Sequence, residues 1–367
     1  MLGTDDAQQD DFQISDASFQ MALKRSEELE LDLKLNPGKH RVLTGDRPTG
    51  NLHIGHYFGS LRNRVRLQDM GVETFVLIAD YQVLTDHDVY KDISKYVREL
   101  TIDYIACGLD PMDKNTHIFP HSYIPELNQL TIPFLSMVSS GELNRNPTIK
   151  EEIQASGKNV INAGMYTYPV HQAADILFCK SDVVPVGKDQ LPHIEMTRTI
   201  AKRFNKKFGT NVFRLPVGVM SEVPMILGLD GNQKMSKSRN NSIMIKSTAD
   251  ETMKLIKKAK TDSTRFIDYD PINRPEVANL LRLASMCSGE TPIEIAARIG
   301  DLGAGKLKQV TAEALNTYFA PIRERRLALE RDPEFITKVL LKGIDEAREV
   351  AIKTLNEVRH VMNMEIR

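Results

Sequence analysis

The sequence predicts an α/β fold, with a doubly wound parallel sheet followed by an α-helical domain. Between residues 41 and 208, short apolar segments alternate with longer segments in which apolar residues recur at helical spacing. The apolar segments are continuous enough to be strands buried on both faces, which is typical of a parallel sheet. From Ser247 onward such segments essentially disappear. A chain of 367 residues is long enough for two or three domains.

The first 38 residues form an N-terminal extension. Five aspartates occur by position 16, and apolar residues then recur at helical spacing from Ser18 to Leu33. Asn36, Pro37 and Gly38 predict the end of this helix. The segment is either an appendage packed on the body, a partner-binding arm or partly a remnant of expression.

The pattern of the next part of the chain, residues 41–119, predicts strands and helices in alternation, which is typical of a Rossmann-like sheet. Such a sheet binds ligands at the carboxyl ends of its strands, where the strand order switches. The glycine-rich loop after the first strand is therefore the expected nucleotide site. The predicted elements are a strand over 41–44, the loop over 45–50, a helix over about 55–70, a strand over 73–80, a helix near 88–107 and a strand over 116–119.

Prolines and glycines interrupt residues 120–166, which we interpret as a helical insertion within the sheet domain. The chain then predicts domains over 1–38, 39–246 and 247–367. The remaining predicted elements are a strand over 180–186, a helix from 189 to about 208, and helices near 248–260, 274–288, 292–299, 304–331 and 332–363.

Composition excludes several classes of protein. The three cysteines, Cys107, Cys179 and Cys287, are far apart, which argues against a disulfide framework and against a zinc or iron–sulfur site. We expect no protein-bound structural metal. We find no apolar segment long enough to span a membrane and no signal-like segment at the start of the sequence. The expected location is therefore the cytoplasm.

Charge is unevenly distributed along the chain. The net charge is −1, but residues 231–367 hold 24 Lys and Arg against 19 Asp and Glu. A mildly basic C-terminal part suits a polyanionic partner, although this excess is also common on ordinary helical surfaces.

Two short motifs point to chemistry on a nucleotide phosphate. His53 and His56 lie one helical turn apart at a predicted helix start, where the dipole and free N–H groups attract anions. Gly55 would let a flat ring approach the backbone. Lys234 and Lys237 are also three residues apart, in a glycine-introduced loop, and their ammonium groups can close over phosphates. Together these motifs predict stabilisation of charge that develops on phosphorus and on departing pyrophosphate.

Asp175 is a candidate for reading a polar group of a ligand. It lies between Ala173-Ala174 and Ile176-Leu177, and a buried carboxylate requires a donor. An indole nitrogen is a donor only, so it would satisfy such an aspartate. The alternative is a structural aspartate that is satisfied by backbone groups.

The two motifs together resemble the signatures of class I aminoacyl-tRNA synthetases. The segments 168–177 and 184–198 look like those of the bacterial tryptophanyl-tRNA synthetases, and the resemblance covers roughly residues 41–367. Gln172 and Gln82 stand where the best-known bacterial branch has methionine and histidine, so the chain resembles a second branch. The spacing of Gln172 and Asp175 is also the one that tyrosyl-tRNA synthetases use, which keeps tyrosine open as the substrate.

The resemblance implies a ligase that converts ATP and L-tryptophan to tryptophanyl-adenylate and then charges tRNA(Trp). ATP would bring Mg²⁺, the C-terminal helices would read the anticodon, and the protein would be a homodimer with the insertion at its interface. The alternatives are another nucleotidyltransferase and a non-enzymatic binding protein. The implied catalytic residues are His53, His56, Lys234 and Lys237. The implied ATP-binding residues are these four with Gly45, Asp46, Arg47, Thr49, Gly50, Asn51, Gly55, Gly187, Asp189, Met235, Ser236 and Ser238. The implied tryptophan-binding residues are Leu43, Gln82, Tyr168, Gln172, Asp175, Val184, Val186 and Gln190.

Overall fold

A five-stranded, entirely parallel sheet forms the centre of the molecule, with strand order β3-β2-β1-β4-β5. This order confirms the predicted doubly wound topology, because the chain winds outward from β1 in both directions. The computed structural model describes residues 16–86, 90–146, 148–150, 162–187, 190–220, 226–237 and 239–366. The strands are β1 Arg41–Asp46, β2 Glu73–Ile78, β3 Thr116–Pro120, β4 Val183–Val186 and β5 Val217–Met220.

Fourteen α-helices of the described residues surround this sheet or form the C-terminal part. They are α1 Asp16–Leu35, α2 Ile54–His56, α3 Arg62–Asp69, α4 Val83–Asp86, α5 Ile93–Ala106, α6 Pro125–Leu135, α7 Ser140–Arg145, α8 Ala163–Leu177, α9 Leu191–Phe208, α10 Ala249–Lys258, α11 Pro275–Ser288, α12 Pro292–Ile299, α13 Gly303–Glu330 and α14 Pro333–Val361. None of these helices combines the length and the apolar composition that crossing a bilayer requires.

Three local features differ from the sequence predictions. Gly45 and Asp46 extend β1, where they pair with Leu77 and Ile78, so the glycine-rich loop begins later than predicted. The helix predicted over 55–70 is divided by a five-residue π-helical turn, Tyr57–Leu61. The strand predicted over 180–186 begins only at Val183, because Lys180 has a φ of 55°, which is incompatible with extended backbone.

Strand β5 was not predicted from the sequence. It is only four residues long, and Gly218 interrupts its apolar pattern. A Cβ on Gly218 would lie 2.9 Å from Val186 and 3.0 Å from Leu191, so glycine lets α9 pack closely on the sheet.

The N-terminal helix α1 packs against the sheet. Leu33 is fully buried and shares a small apolar cluster with Val42, Val183 and Val219 of three adjacent strands. The predicted helix is therefore confirmed, and it covers apolar surface of the sheet domain.

The C-terminal part continues the core of the sheet domain. Val76 and Ile78 of β2 belong to the same apolar cluster as Leu280 of α11 and Phe319 of α13. Helix α14 packs along the edge strand β3, where Gly343 lies against the Ile118 backbone with no room for a side chain.

Candidate active site

The two sequence motifs lie side by side at the carboxyl end of β1. The Ile54 N–H donates to the Ile243 carbonyl at 2.9 Å, and the Ile245 N–H donates to the Leu52 carbonyl at 3.0 Å. This short antiparallel pairing fastens the segment after the lysine motif to the histidine motif. Two motifs separated by nearly 180 residues therefore form one site.

The histidine pair is held at the start of α2. The ring centroids of His53 and His56 are 3.7 Å apart, and the His53 N–H donates to His56 Nδ1 at 3.2 Å. The pKa of His53 is lowered to about 3 and that of His56 to about 4, mainly by burial, and the nearby Lys237 ammonium contributes to both shifts. Both rings are therefore neutral near pH 7, and they can serve as hydrogen-bond donors rather than as cations.

The lysine motif is anchored by its methionine. Met235 is 2% exposed, its N–H donates to the Ile226 carbonyl at 3.1 Å, and its Cβ lies 3.5 Å from the Cβ position of Gly55. The His53 ring fills the remaining space beside Gly55. In this structure the glycine is thus required by the packing of the two motifs against each other, and Met235 is a core residue.

Lys237 lies over the glycine-rich loop. Its Nζ is 3.2 Å from the position that a Cβ on Gly50 would occupy, and Gly50 has a φ of +125°, which only glycine adopts readily. Burial lowers the pKa of Lys237, although Asp103 and Asp46 oppose this effect. The ammonium group therefore lies against Gly50.

A set of asparagines that the sequence analysis missed supports the lysine loop. The buried Asn241 accepts from the Ser236 N–H at 2.8 Å and donates to the Asp230 carboxylate at 2.8 Å. Asn279 of α11 donates to the carbonyls of Leu227 and Gly228 at 3.2 and 3.1 Å. The C-terminal part thus holds the base of the loop. For Asn241 the sequence offered only its position three residues beyond Ser238, the last residue of the lysine motif, and for Asn279 it offered no signal.

Asp46 forms an ion pair with the buried Arg64 below the glycine-rich loop. Its Oδ2 accepts from Arg64 and from the Tyr104 hydroxyl, both at 2.7 Å. Burial raises the pKa of Asp46, but the Arg64 guanidinium outweighs burial and keeps it below its usual range. The predicted ATP residue Asp46 thus already has protein partners, and Arg64 was not foreseen.

A second group of predicted residues lies around Asp175 of α8, which is 2% exposed. His121 Nδ1 lies 2.9 Å from Asp175 Oδ1, and Gln82 Nε2 donates to Oδ2 at 3.5 Å. Leu43 and Val184 belong to the apolar cluster of this region. The structure therefore brings the sequence-predicted Gln82 and Asp175 together and adds His121, which directly follows strand β3.

Three other residues predicted to bind tryptophan have contacts elsewhere in the sheet domain. Tyr168 packs its ring on His193, and its hydroxyl lies 3.0 Å from His193 Nε2. Val186 packs against the same apolar cluster, and the Gln190 N–H donates to the Gly187 carbonyl at 3.1 Å. Asp189 and Ser238 lie outside the described residues.

Comparison with known proteins connects this geometry to a family. The model of the class I tRNA synthetases (W and Y) matches residues 35–320. The chain is 42% identical to the tryptophan–tRNA ligase of Clostridium longisporum over 335 residues, which are 89% of this chain and 98% of that relative. It is 41% identical to the tryptophan–tRNA ligase of Streptococcus pyogenes serotype M1, over 88% of this chain and 98% of that one. A tryptophanyl-tRNA synthetase structure from Campylobacter jejuni, complexed with ADP and tryptophan, superposes with a TM-score of 0.78 at 31% identity, covering 88% of this chain and 99% of that one.

Proposed function

Since the chain belongs to the class I tRNA synthetases of the tryptophan and tyrosine family, we propose that it is a tryptophan–tRNA ligase. It activates L-tryptophan with ATP and transfers the activated carboxyl group to the 3′ end of tRNA(Trp). The observation that carries this function is that relatives named for it match the chain over 98% of their own length at 41–42% identity.

In the first step a carboxylate oxygen of tryptophan forms a bond to the α-phosphorus of ATP, and the bond between the α- and β-phosphates breaks. Pyrophosphate leaves with the electron pair. The attacking carboxylate is already ionised, so no general base is needed. The step then depends on positioning and on stabilisation of charge that develops on the phosphate oxygens.

His53 and His56 suit the α-phosphate because neutral imidazoles donate hydrogen bonds without repelling the lysines beside them. Lys234 and Lys237 suit the departing pyrophosphate because each is a compact point charge on a flexible stem. Mg²⁺ arrives with ATP as part of the substrate and neutralises phosphate charge. The glycine-rich loop around Gly50 binds the nucleotide.

The residues around Asp175 suit the indole ring. The Asp175 carboxylate accepts from the indole N–H, the apolar Val184 and Val186 flank the ring, and Tyr168 and Gln172 hold the ammonium group. A site built to hydrogen-bond an N–H group rejects ligands that leave its carboxylate unpaired.

Membership of the family also indicates the partners and the location of the protein. The C-terminal helices contact tRNA(Trp), in keeping with their basic charge balance. Two chains associate through the insertion, where Tyr123 and Ile132 are 62% and 72% exposed. The unpaired Cys107, Cys179 and Cys287 suit the reducing cytoplasm.

The test is ATP–pyrophosphate exchange with each of the twenty amino acids, followed by charging of tRNA(Trp). Exchange with tryptophan alone is the expected result. Exchange with tyrosine instead would assign Gln172 and Asp175 to a phenol hydroxyl. If no amino acid supports exchange, the proposed function is wrong.

A further inference from the structure

A buried polar cluster lies behind the Asp175 carboxylate. Asp80 follows β2 and His121 follows β3, and these parallel strands end together because Ile78 pairs with Pro120. His171 and Asp175 complete the cluster from α8. His121 has no exposed surface, and the adenylation mechanism above assigns it no role.

The hydrogen bonds around His121 fix where its proton lies. The backbone N–H of Tyr81 is 3.0 Å from His121 Nε2. A backbone N–H can only donate, so Nε2 accepts with its lone pair. The ring therefore has its proton on Nδ1, which lies 2.9 Å from Asp175 Oδ1 and donates to it. Asp80 Oδ1 is farther from Nε2, at 3.5 Å, and already accepts from the Ser122 N–H at 3.1 Å.

This proton position argues against metal binding by the cluster. One ligand atom each from His121, His171 and Asp175 lie within 4.8 Å of one another, a set that could suit a divalent cation. A metal ligand at His121 Nδ1 would need a lone pair on that nitrogen, yet Nδ1 bears the proton.

We propose that His121 is a positioning residue that sets the choice of amino acid through Asp175. Its Nδ1–H occupies Oδ1, which fixes the rotation of the carboxylate and leaves Oδ2 to accept from the indole N–H. Gln82 approaches that oxygen at 3.5 Å, a long distance for a hydrogen bond. A ligand without an N–H leaves the buried Oδ2 with only this long contact to Gln82, so such a ligand binds less tightly than tryptophan. This inference rests on the proposed function.

The experiment compares L-tryptophan with L-3-benzothienylalanine, in which sulfur replaces the indole N–H, in ATP–pyrophosphate exchange. In His121→Leu the carboxylate loses its fixed orientation. The preference for tryptophan over the analogue, as a ratio of kcat/KM, should fall by about tenfold, mainly through a higher KM for tryptophan. In His121→Asn an amide N–H takes the place of Nδ1–H, and much of the preference should return.

The matched control is His117→Leu. His117 precedes His121 by four residues and is also buried, but it lies 2.7 Å from Glu346 rather than near Asp175. It should leave the preference unchanged. If the preference is unchanged in His121→Leu, whether or not both ligands lose activity equally, the inference is overturned. If the unmodified protein shows no exchange with tryptophan, the proposed function is overturned instead.

If His121→Leu does not fold, NMR of the unmodified protein tests the inference. The ¹⁵N shifts of the histidine rings in the unmodified protein report the tautomer directly. A neutral His121 ring protonated on Nδ1 is expected. Protonation on Nε2 would contradict the inference whatever the variants do.

Discussion

The Asn241 side chain donates a hydrogen bond to the Asp230 carboxylate at 2.8 Å. The other oxygen of Asp230 accepts from the backbone N–H groups of Asn232 and Gln233 at 3.2 and 3.3 Å. Asn241 also accepts from the Ser236 N–H. These bonds join the two ends of the loop over residues 230–241, so they fix the backbone on both sides of Lys234 and Lys237.

Asn241→Ala should therefore impair both folding and adenylate formation. It leaves the Ser236 N–H and the Asp230 carboxylate without this partner, and such a loss costs about 1–3 kcal/mol. We expect a lower Tm and a lower kcat in pyrophosphate exchange. Asn232→Ala, in the same loop but with an exposed side chain, is the control. Equal behaviour of the two variants would refute a role for Asn241.

Lys237→Ala should lower the rate of adenylate formation by about two orders of magnitude, the usual loss when one donor to developing charge is removed. The affinity for tryptophan should not change, because Lys237 faces Gly50 rather than Asp175. Single-turnover kinetics and the quenching of tryptophan fluorescence measure the two quantities separately; the chain has no tryptophan of its own. Lys258→Ala, exposed on α10, is the control. Parallel losses of rate and affinity would contradict a role confined to the transition state.

The histidine pair predicts a pH dependence of stability. The pKa values of His53 and His56, about 3 and about 4, lie below the ordinary 6.5. Between pH 6.5 and about 4 the unfolded chain therefore binds protons that the folded chain does not. As the pH is lowered through this window, the free energy of unfolding should fall by up to about 1.4 kcal/mol per pH unit for each histidine.

Urea unfolding at pH 6.5 and 5.5 measures this effect. The stability of His53→Asn should fall less over this interval than that of the unmodified protein. The exposed His360 provides the control, because His360→Asn should retain the full dependence. If His53→Asn retains it as well, His53 is not the source of the effect.

Leu33→Ala should destabilise the protein by about 2–4 kcal/mol, because it leaves a cavity between α1 and three strands. Leu31→Ala on the same helix should cost little, since Leu31 is 62% exposed. Thermal unfolding compares the two. If neither changes the Tm, α1 does not stabilise the sheet domain.

Ile132→Asp should convert a dimer to a monomer, because a carboxylate would be desolvated in the proposed interface. Light scattering measures the mass. Ile272→Asp is the control, since Ile272 is 86% exposed in the C-terminal part, away from the insertion. An unmodified protein that is monomeric at micromolar concentration would refute the interface.

The sequence by itself determined the parallel α/β fold and most of its elements, because buried parallel strands and amphipathic helices have strong periodic patterns. It did not predict β5, whose four residues include a glycine, or the π-helical turn over Tyr57–Leu61, because neither has a distinctive local pattern. The late start of β4 depends on the backbone conformation of Lys180, which residue type alone does not specify.

The two signatures and Asp175 could be found from the sequence because their residue types and spacing follow from the chemistry of phosphates and of an indole N–H. Only the tertiary structure decided that Met235 packs on Gly55 and that His121 donates to Asp175. These contacts join residues 54 to 180 positions apart in the chain. The packing of strands and helices against one another determines which of these residues meet, and a local sequence pattern does not specify that packing.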